Sequence, residues 1–224
     1  MDTGKHSAII GFIQAGGLSS RMNRDKAWLE IDGVPMIERV IAAARPAVDR
    51  LAIIVNAGNP QIERYGKLAE SCGAELIPDL HDHLGPLGGI HTALARCQEG
   101  ESALILACDL PFLTTEFLSF IRDIHHAPDS QSDSLRSGRD RQSITVPLDQ
   151  SNRPQPLAAI YDQSLESTVK EMIEAGKLRV DRLYSRASTR RVAFYEFARM
   201  REAERFFINV NTPEEFMDAR RRIS

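Results

Sequence analysis

The stretch "SAIIGFIQAGGLSSRMNRDK", residues 7–26, starts as a short apolar run and leaves it through two adjacent glycines. A continuous apolar run of strand length, bounded by turn residues, reads as a strand buried on both faces. The same theme recurs downstream in "LAIIVN" (51–56), "AELIPD" (74–79) and "SALILACD" (102–109). Helical segments lie between and after these strands. "MIERVIAAA" (36–44) sets Ile37, Val40, Ile41 and Ala44 at helical spacing. "PQIERYGKLAES" (60–71) has Pro60 near its start, and "PLGGIHTALARC" (86–97) and "TTEFLSFIRDIHH" (114–126) follow. Strand and helix in repeated alternation predict an α/β fold, a mostly parallel sheet with helices on both faces.

The second half is less regular. "APDSQSDSLRSGRDRQ" (127–142) is polar and rich in Ser, Asp and Arg, and reads as an exposed, flexible loop. "SITVPLD" and "QPLAAIY" read as strands around the turn "QSNRP", and "SLESTVKEMIEAG" as a helix ended by Gly176. "RRVAFYEF" and "RFFINVN" read as strands. "TPEE" opens a last helix, with Thr212 as cap, Pro213 in the first position and Glu215 closing a capping box. No internal repeat or linker stands out, so residues 1–224 read as one domain.

Composition narrows the function classes. The 224 residues are 42% hydrophobic and 26% charged, ordinary for a globular chain able to bury a core without staples. A net charge of −3 gives no basic field to recruit nucleic acid. Cys72, Cys97 and Cys108 form no C-x-x-C pair and read as reduced thiols in a cytoplasmic protein. The N-terminus lacks a basic region followed by a long apolar core, so no signal peptide is expected, and no apolar run has membrane-spanning length.

The Gly-Gly exit answers to a polyphosphate. In open α/β sheets ligands sit beyond the carboxyl ends of the strands. Gly16 and Gly17 let backbone approach a ligand closely and line up N–H groups for an anion. Ser19, Ser20, Arg21 and Lys26 add donors and charge. Neither G-x-x-x-x-G-K-[ST] nor G-x-G-x-x-G is present, so the chain carries neither the P-loop nor the dinucleotide fingerprint. A plain strand-to-loop turn with a solvated basic tail is the competing reading.

Three further segments carry candidate groups. In "LACDLPFL" Asp109 follows the most apolar strand, a natural oxygen ligand for Mg2+, though it could equally close a turn. Cys108 beside it reads as a core thiol. In "PDLHDHLGPLGGI" Asp79 follows a strand, Gly85, Gly88 and Gly89 make the next loop permissive, and an anion or ribose would suit the helix start near Pro86. His81 and His83 form an H-x-H pair without an obvious third ligand and read as solvated loop residues rather than a metal site. In "FFINVNTPEEF" Asn209 and Asn211 would project to one face of an extended segment, with turn and capping roles as the alternative.

Taken in order, "AGGLSSRMNRDKAWLEIDGVPMIERV", "GPLGGI", "CDLPFL", "QPLAAIY" and "INVNTPEEF" resemble the molybdenum cofactor guanylyltransferases, within the wider nucleotidyltransferases, over roughly residues 9–220. That resemblance implies a single-domain, Rossmann-like three-layer sandwich. It also implies a reaction: GMP passes from GTP to a molybdopterin-type pterin cofactor, and pyrophosphate leaves. By the same resemblance Ala15, Gly16 and Gly17 line the guanine and ribose side. Arg21 and Lys26 hold the triphosphate, Asn56 and Asp79 contact the nucleotide, and Asp109 holds Mg2+. Arg179 in "GKLRVDRLY", Asn209 and Asn211 lie toward the pterin. Proteins that deliver the pterin or accept the product are expected partners; nucleic acid and membrane are not.

The chain departs from the family pattern at three points. Gln14 stands where Leu is usual, Asn23 where R-M-G is usual, and Gln155 where His or Glu often precedes "PL". Asn tolerates positive φ, so the turn at Asn23 can survive. Three other readings remain open. Cytidylyl-transferring relatives usually carry A-A-G where this chain has Ala15-Gly16-Gly17. Sugar-phosphate nucleotidylyltransferases share the early motif but are usually longer. A nucleotide-binding regulator without turnover would keep the motif but would not need both Lys26 and Asp109.

Overall fold

The buried apolar runs assemble into one seven-stranded sheet in the computed structural model, which describes residues 7–15, 25–81, 84–127 and 143–210. The first half runs β1 (Ile9–Gln14), the short β2 (Glu30–Ile31) and β3 (Val34–Pro35), α1 (Met36–Ala44), β4 (Arg50–Val55) and α2 (Ile62–Cys72). It continues through β5 (Glu75–Pro78), α3 (Gly85–Leu94), β6 (Ser102–Ala107) and α4 (Thr115–His126). The second half adds β7 (Ile144–Pro147), β8 (Ala158–Asp162), α5 (Glu166–Glu174), β9 (Thr189–Val192) and the single turn α6 (Phe194–Phe197).

Strand order is β5-β4-β1-β6-β8-β7-β9. β1 pairs in parallel with β4 and β6, β4 with β5, and β7 with β9, whereas β8 is antiparallel to both neighbours. A single reversed strand therefore interrupts a parallel sheet. The turn that reverses it is built on Asp149, whose N–H donates to the Arg153 carbonyl at 3.0 Å, with Asn152 at φ 58°.

Alternation along the strands divides the core into two layers. Ile9, Ile13, Leu104 and Leu106 pack toward Ile37 and Val40 of α1, Tyr65 of α2 and Phe117 of α4. Ile10, Phe12, Ala103 and Ile105 pack on the opposite side against Leu87 and Ile90 of α3 and Val169 and Met172 of α5. The result is a three-layer α/β single domain. Helix ends follow local chemistry: the Thr114 hydroxyl accepts the Phe117 N–H at 3.3 Å, and Gly176 leaves α5 at φ 67°.

The structure corrects four local expectations. "RFFINVN" forms no strand through Val210; Phe206 is buried against Phe117 and Phe197 as an aromatic cluster beneath the helical layer. "RRVAFYEF" is a strand only to Val192, because Glu196 Oε1 accepts the Ala193 N–H at 2.8 Å and turns the chain into α6. α2 starts at Ile62 rather than at Pro60, since Asn59 Oδ1 accepts the Gln61 N–H at 2.8 Å and holds a turn ahead of the helix. Gly88 and Gly89 sit inside α3, where they admit close packing rather than loosening a loop. The 128–142 part of the loop, the "TPEE" helix, Gly16, Gly17, Ser19, Ser20, Arg21, Asn23, His83 and Asn211 lie outside the described residues.

Candidate active site

Beyond the strand ends, backbone pairing runs on by about a residue and fixes where the chain turns away. The Ala15 N–H donates to Ile54 O at 2.8 Å, the Asp79 N–H to Val55 O at 2.9 Å, and the Cys108 N–H to Gln14 O at 3.1 Å. Ala15, Asp79 and Asp109 are thereby brought to one edge of the sheet. They line a cleft of about 350 Å3 together with Gln14, Lys26 and Asn56. That volume lies within the usual range of small-molecule sites. With strands about 4.8 Å apart, the ends of β5 and β6 stand roughly 14 Å from each other across this cleft.

Lys26 is placed in the cleft by the residue before it. Asp25 Oδ1 accepts the Ala27 N–H at 3.2 Å, starting the single 3-10 turn Lys26–Trp28. Its Oδ2 accepts the Tyr65 hydroxyl at 2.7 Å and the Asn59 side-chain amide at 3.2 Å. Burial first, then the Asp25 charge, push the Tyr65 phenol well above its usual range, so it remains a donor. The Trp28 ring packs on Tyr65 with centroids 5.0 Å apart, and the Arg64 guanidinium lies over the Trp28 ring, 3.7 Å from its centroid. Sequence reading did not single out Asp25, Asn59 or Tyr65. Adjacency to Lys26 was the only signal for Asp25, and nothing local marks the other two, which lie more than thirty residues away.

At the β4–β5 end, Asn56 Oδ1 accepts the Gly58 N–H at 2.7 Å, which shapes the loop behind it. Asp79 Oδ1 accepts the Thr92 hydroxyl at 2.5 Å and the His81 N–H at 3.2 Å. Gln14 lies against α3, where a Cβ on Gly89 would stand 2.4 Å from its Cδ and Nε2. Its Nε2 is buried without a hydrogen-bond partner among the described residues. Leu84, Gly85 and Pro86 bring the start of α3 to the same wall. His81 also lines the cleft; it is half-buried and bonded to His91 rather than solvated.

At the β6 end, Asp109 follows the strand and shares the cleft wall with Lys26. Its carbonyl accepts the Val210 N–H at 3.2 Å, which sets the exposed Asn209 beside it. Val210 itself is buried with Ile31, Met36 and Phe112. Burial, reinforced by the carboxylates of Asp109 and Asp25, pushes the Cys108 thiol far up, which keeps this half-buried thiol of the cleft wall protonated and unreactive. Arg179 is not brought to the cleft: it is exposed and pairs with Asp181 at 2.6 Å. No group of three or more His, Cys, Asp or Glu side chains among the described residues could hold a metal by itself. A lone carboxylate at a phosphate site still fits Mg2+, which takes one or two carboxylates and draws its other ligands from phosphates and water. A second cavity, of about 240 Å3, lies among Arg45, Asp49, Arg50 and Arg96 and includes none of these residues.

A cleft at the carboxyl ends of parallel strands, with a lysine and a carboxylate on its wall, is the architecture of the nucleotide-binding α/β proteins. Residues 11–190 match the MobA-like NTP transferase domain. A molybdenum cofactor guanylyltransferase of Shewanella halifaxensis is 30% identical over 205 residues, covering 91% of this chain and 89% of the relative. A probable molybdenum cofactor guanylyltransferase of Flavobacterium johnsoniae is 31% identical over 208 residues, covering 92% and 94%. Among solved structures, the molybdopterin-guanine dinucleotide biosynthesis protein A of Archaeoglobus fulgidus superposes with a TM-score of 0.74 at 22% identity, over 96% of this chain and 98% of that one. The chain belongs to the MobA-like NTP transferase family and is a nucleotidyltransferase. Among the described residues, no helix is long and apolar enough to cross a membrane.

Proposed function

We propose that this enzyme transfers GMP from GTP to a molybdopterin-type pterin cofactor and releases pyrophosphate. The observation that carries the proposal is the shared cleft: Lys26 and Asp109 at one end, Asn56 and Asp79 at the other. The names of the curated relatives supply the nucleotide and the acceptor. An oxygen of the pterin's terminal phosphate attacks the α-phosphorus of GTP. The new P–O bond forms as the bond to the β-phosphate oxygen breaks, and pyrophosphate departs with that electron pair. Nucleophile and leaving group are both phosphates, so no protein nucleophile is needed; positioning and charge neutralisation supply the catalysis.

In this reading Lys26 places an ammonium against the triphosphate, and Asp25 holds it there through the Tyr65 and Asn59 bonds. Asn56 and Asp79 hold the nucleoside, with Ala15 on the same cleft wall; Gly16 and Gly17 are assigned to the guanine and ribose side. Arg21 shares the triphosphate with Lys26. Asp109 is the residue that would hold Mg2+, whose charge screens the phosphate oxygens. Asn209, next to the Val210 that bonds the Asp109 carbonyl, is assigned to the acceptor side together with Asn211, whereas Arg179, held by Asp181 away from the cleft, is not. The test is Asp109→Ala and Lys26→Ala assayed for pyrophosphate release with GTP and pterin. Asp109→Ala should lose turnover while still folding, and Lys26→Ala should weaken GTP binding or slow transfer. Near-normal rates in both would overturn these roles.

A further inference from the structure

The cleft wall at the nucleoside end is backed by a three-residue hydrogen-bond chain. His81 Nε2 lies 2.8 Å from His91 Nδ1, and His91 Nε2 lies 3.1 Å from Glu166 Oε1. His91 is buried in α3, and Glu166 opens α5. The arrangement depends on Gly88: a Cβ there would stand 3.2 Å from the His81 Cβ and 3.0 Å from the Leu84 Cβ, pushing His81 off the helix.

Partner chemistry fixes the direction of this chain. A carboxylate only accepts, so His91 Nε2 carries its proton. With both rings neutral, His91 Nδ1 is then a bare acceptor, and His81 Nε2 must donate to it. His81 Nδ1 is left bare as well, and it takes no hydrogen bond from the described residues. We infer that Glu166 and His91 are positioning residues that hold His81 in the Nε2–H tautomer, so that its Nδ1 accepts a hydrogen bond from the bound nucleoside, from a ribose hydroxyl or the base amino group. The inference rests on the nucleotide reading of the cleft.

Two variants of the partly exposed Glu166 test it, with GTP as the probe. Long-range proton–nitrogen NMR of the nucleotide-free protein, above about pH 7.5 where an ordinary imidazole is neutral, reads the tautomer of each ring. The wild type should show His81 protonated at Nε2. Glu166→Gln can donate or accept, so the tautomers should mix and GTP affinity should fall about twofold. Glu166→Lys only donates and should reverse the chain, protonating His81 at Nδ1 and weakening GTP about tenfold. A purely structural network would not produce this ranking together with the spectral switch. With 2′-deoxy-GTP, 3′-deoxy-GTP and ITP as probes, the Glu166→Lys penalty should vanish for the analogue that lacks the donor, naming ribose or base.

An Nδ1–H His81 in the wild type would overturn the inference. So would equal GTP affinity in wild type and Glu166→Lys, or an equal penalty for every analogue. A wild type that binds no GTP would overturn the guanylyl reading and this inference together, an outcome visible before any variant is made.

Discussion

Replacing Gly89 by alanine tests how the nucleotide wall is packed. An ideal Cβ at that position would lie 2.4 Å from Gln14 Cδ and Nε2 and 2.7 Å from Oε1. Carbon contacts settle at about 3.5–4.0 Å, so the carboxamide must move by more than about 1 Å. The Gln14 backbone cannot follow, because it is paired with Ile54 on one side and Ala107 on the other. The carboxamide therefore swings toward the open side, which is the cleft. No hydrogen bond of Nε2 to a described residue is lost, since it has none. Overpacking costs about 1–3 kcal/mol, while Gly-to-Ala in a helix interior gains about 1. Net destabilisation should be about 0–2 kcal/mol in chemical denaturation, yet KM for the nucleoside triphosphate should rise roughly tenfold, or about 1.4 kcal/mol. Adding Gln14→Ala should restore both quantities and give a coupling energy of at least about 1 kcal/mol in the double-mutant cycle. A Gly89→Ala protein with unchanged KM, or a penalty that persists without the Gln14 carboxamide, would refute this packing argument.

Two further outcomes follow from the hydrogen bonds. Tyr65→Phe removes a phenol that donates to Asp25 at 2.7 Å from a fully buried ring; it should cost about 1–3 kcal/mol in denaturant unfolding and slow transfer by loosening Lys26. Asp149 is pushed up by burial but pulled further down by the N–H groups of Arg153 and Ser151 and by the Arg153 guanidinium, which hold it below the usual carboxylate range. Its contribution should be complete above about pH 5 and fade as the pH falls below about 4 through the lowered native value. Stability curves of wild type and Asp149→Ala should therefore converge in acid.

The sequence carried the first half of the fold well because its signals are local. The strand runs from Ile9 to Ala107 are short, apolar and closed by turn residues, and α1 spans the residues its spacing marks. The turn at Asp149–Arg153 was also legible from its Asn and Pro. Strand order was not: β8 inserts between β6 and β7, a choice made by packing across the whole sheet. Phe206 and Phe207 have strand-like composition, but ring contacts with Phe117 override it. Of the candidate residues that line the cleft, Lys26, Asp79 and Asp109 stood out because each sits just past a strand or within the first motif, and Asn56 came from the family resemblance. The groups that position Lys26 and His81 were not legible. Asp25 meets Tyr65 forty residues on, and His91 meets Glu166 seventy-five residues on, distances at which spacing carries no information.

The most direct test of the proposed activity is pyrophosphate release from GTP, CTP and ATP in parallel, with Mg2+ and molybdopterin supplied. Release that depends on the pterin and occurs with GTP, but not with CTP or ATP, is the predicted result. Release with CTP alone would move the chain to cytidylyl transfer and place the base preference on the Gln14 wall. Silence with all three would contradict guanylyl transfer to the pterin.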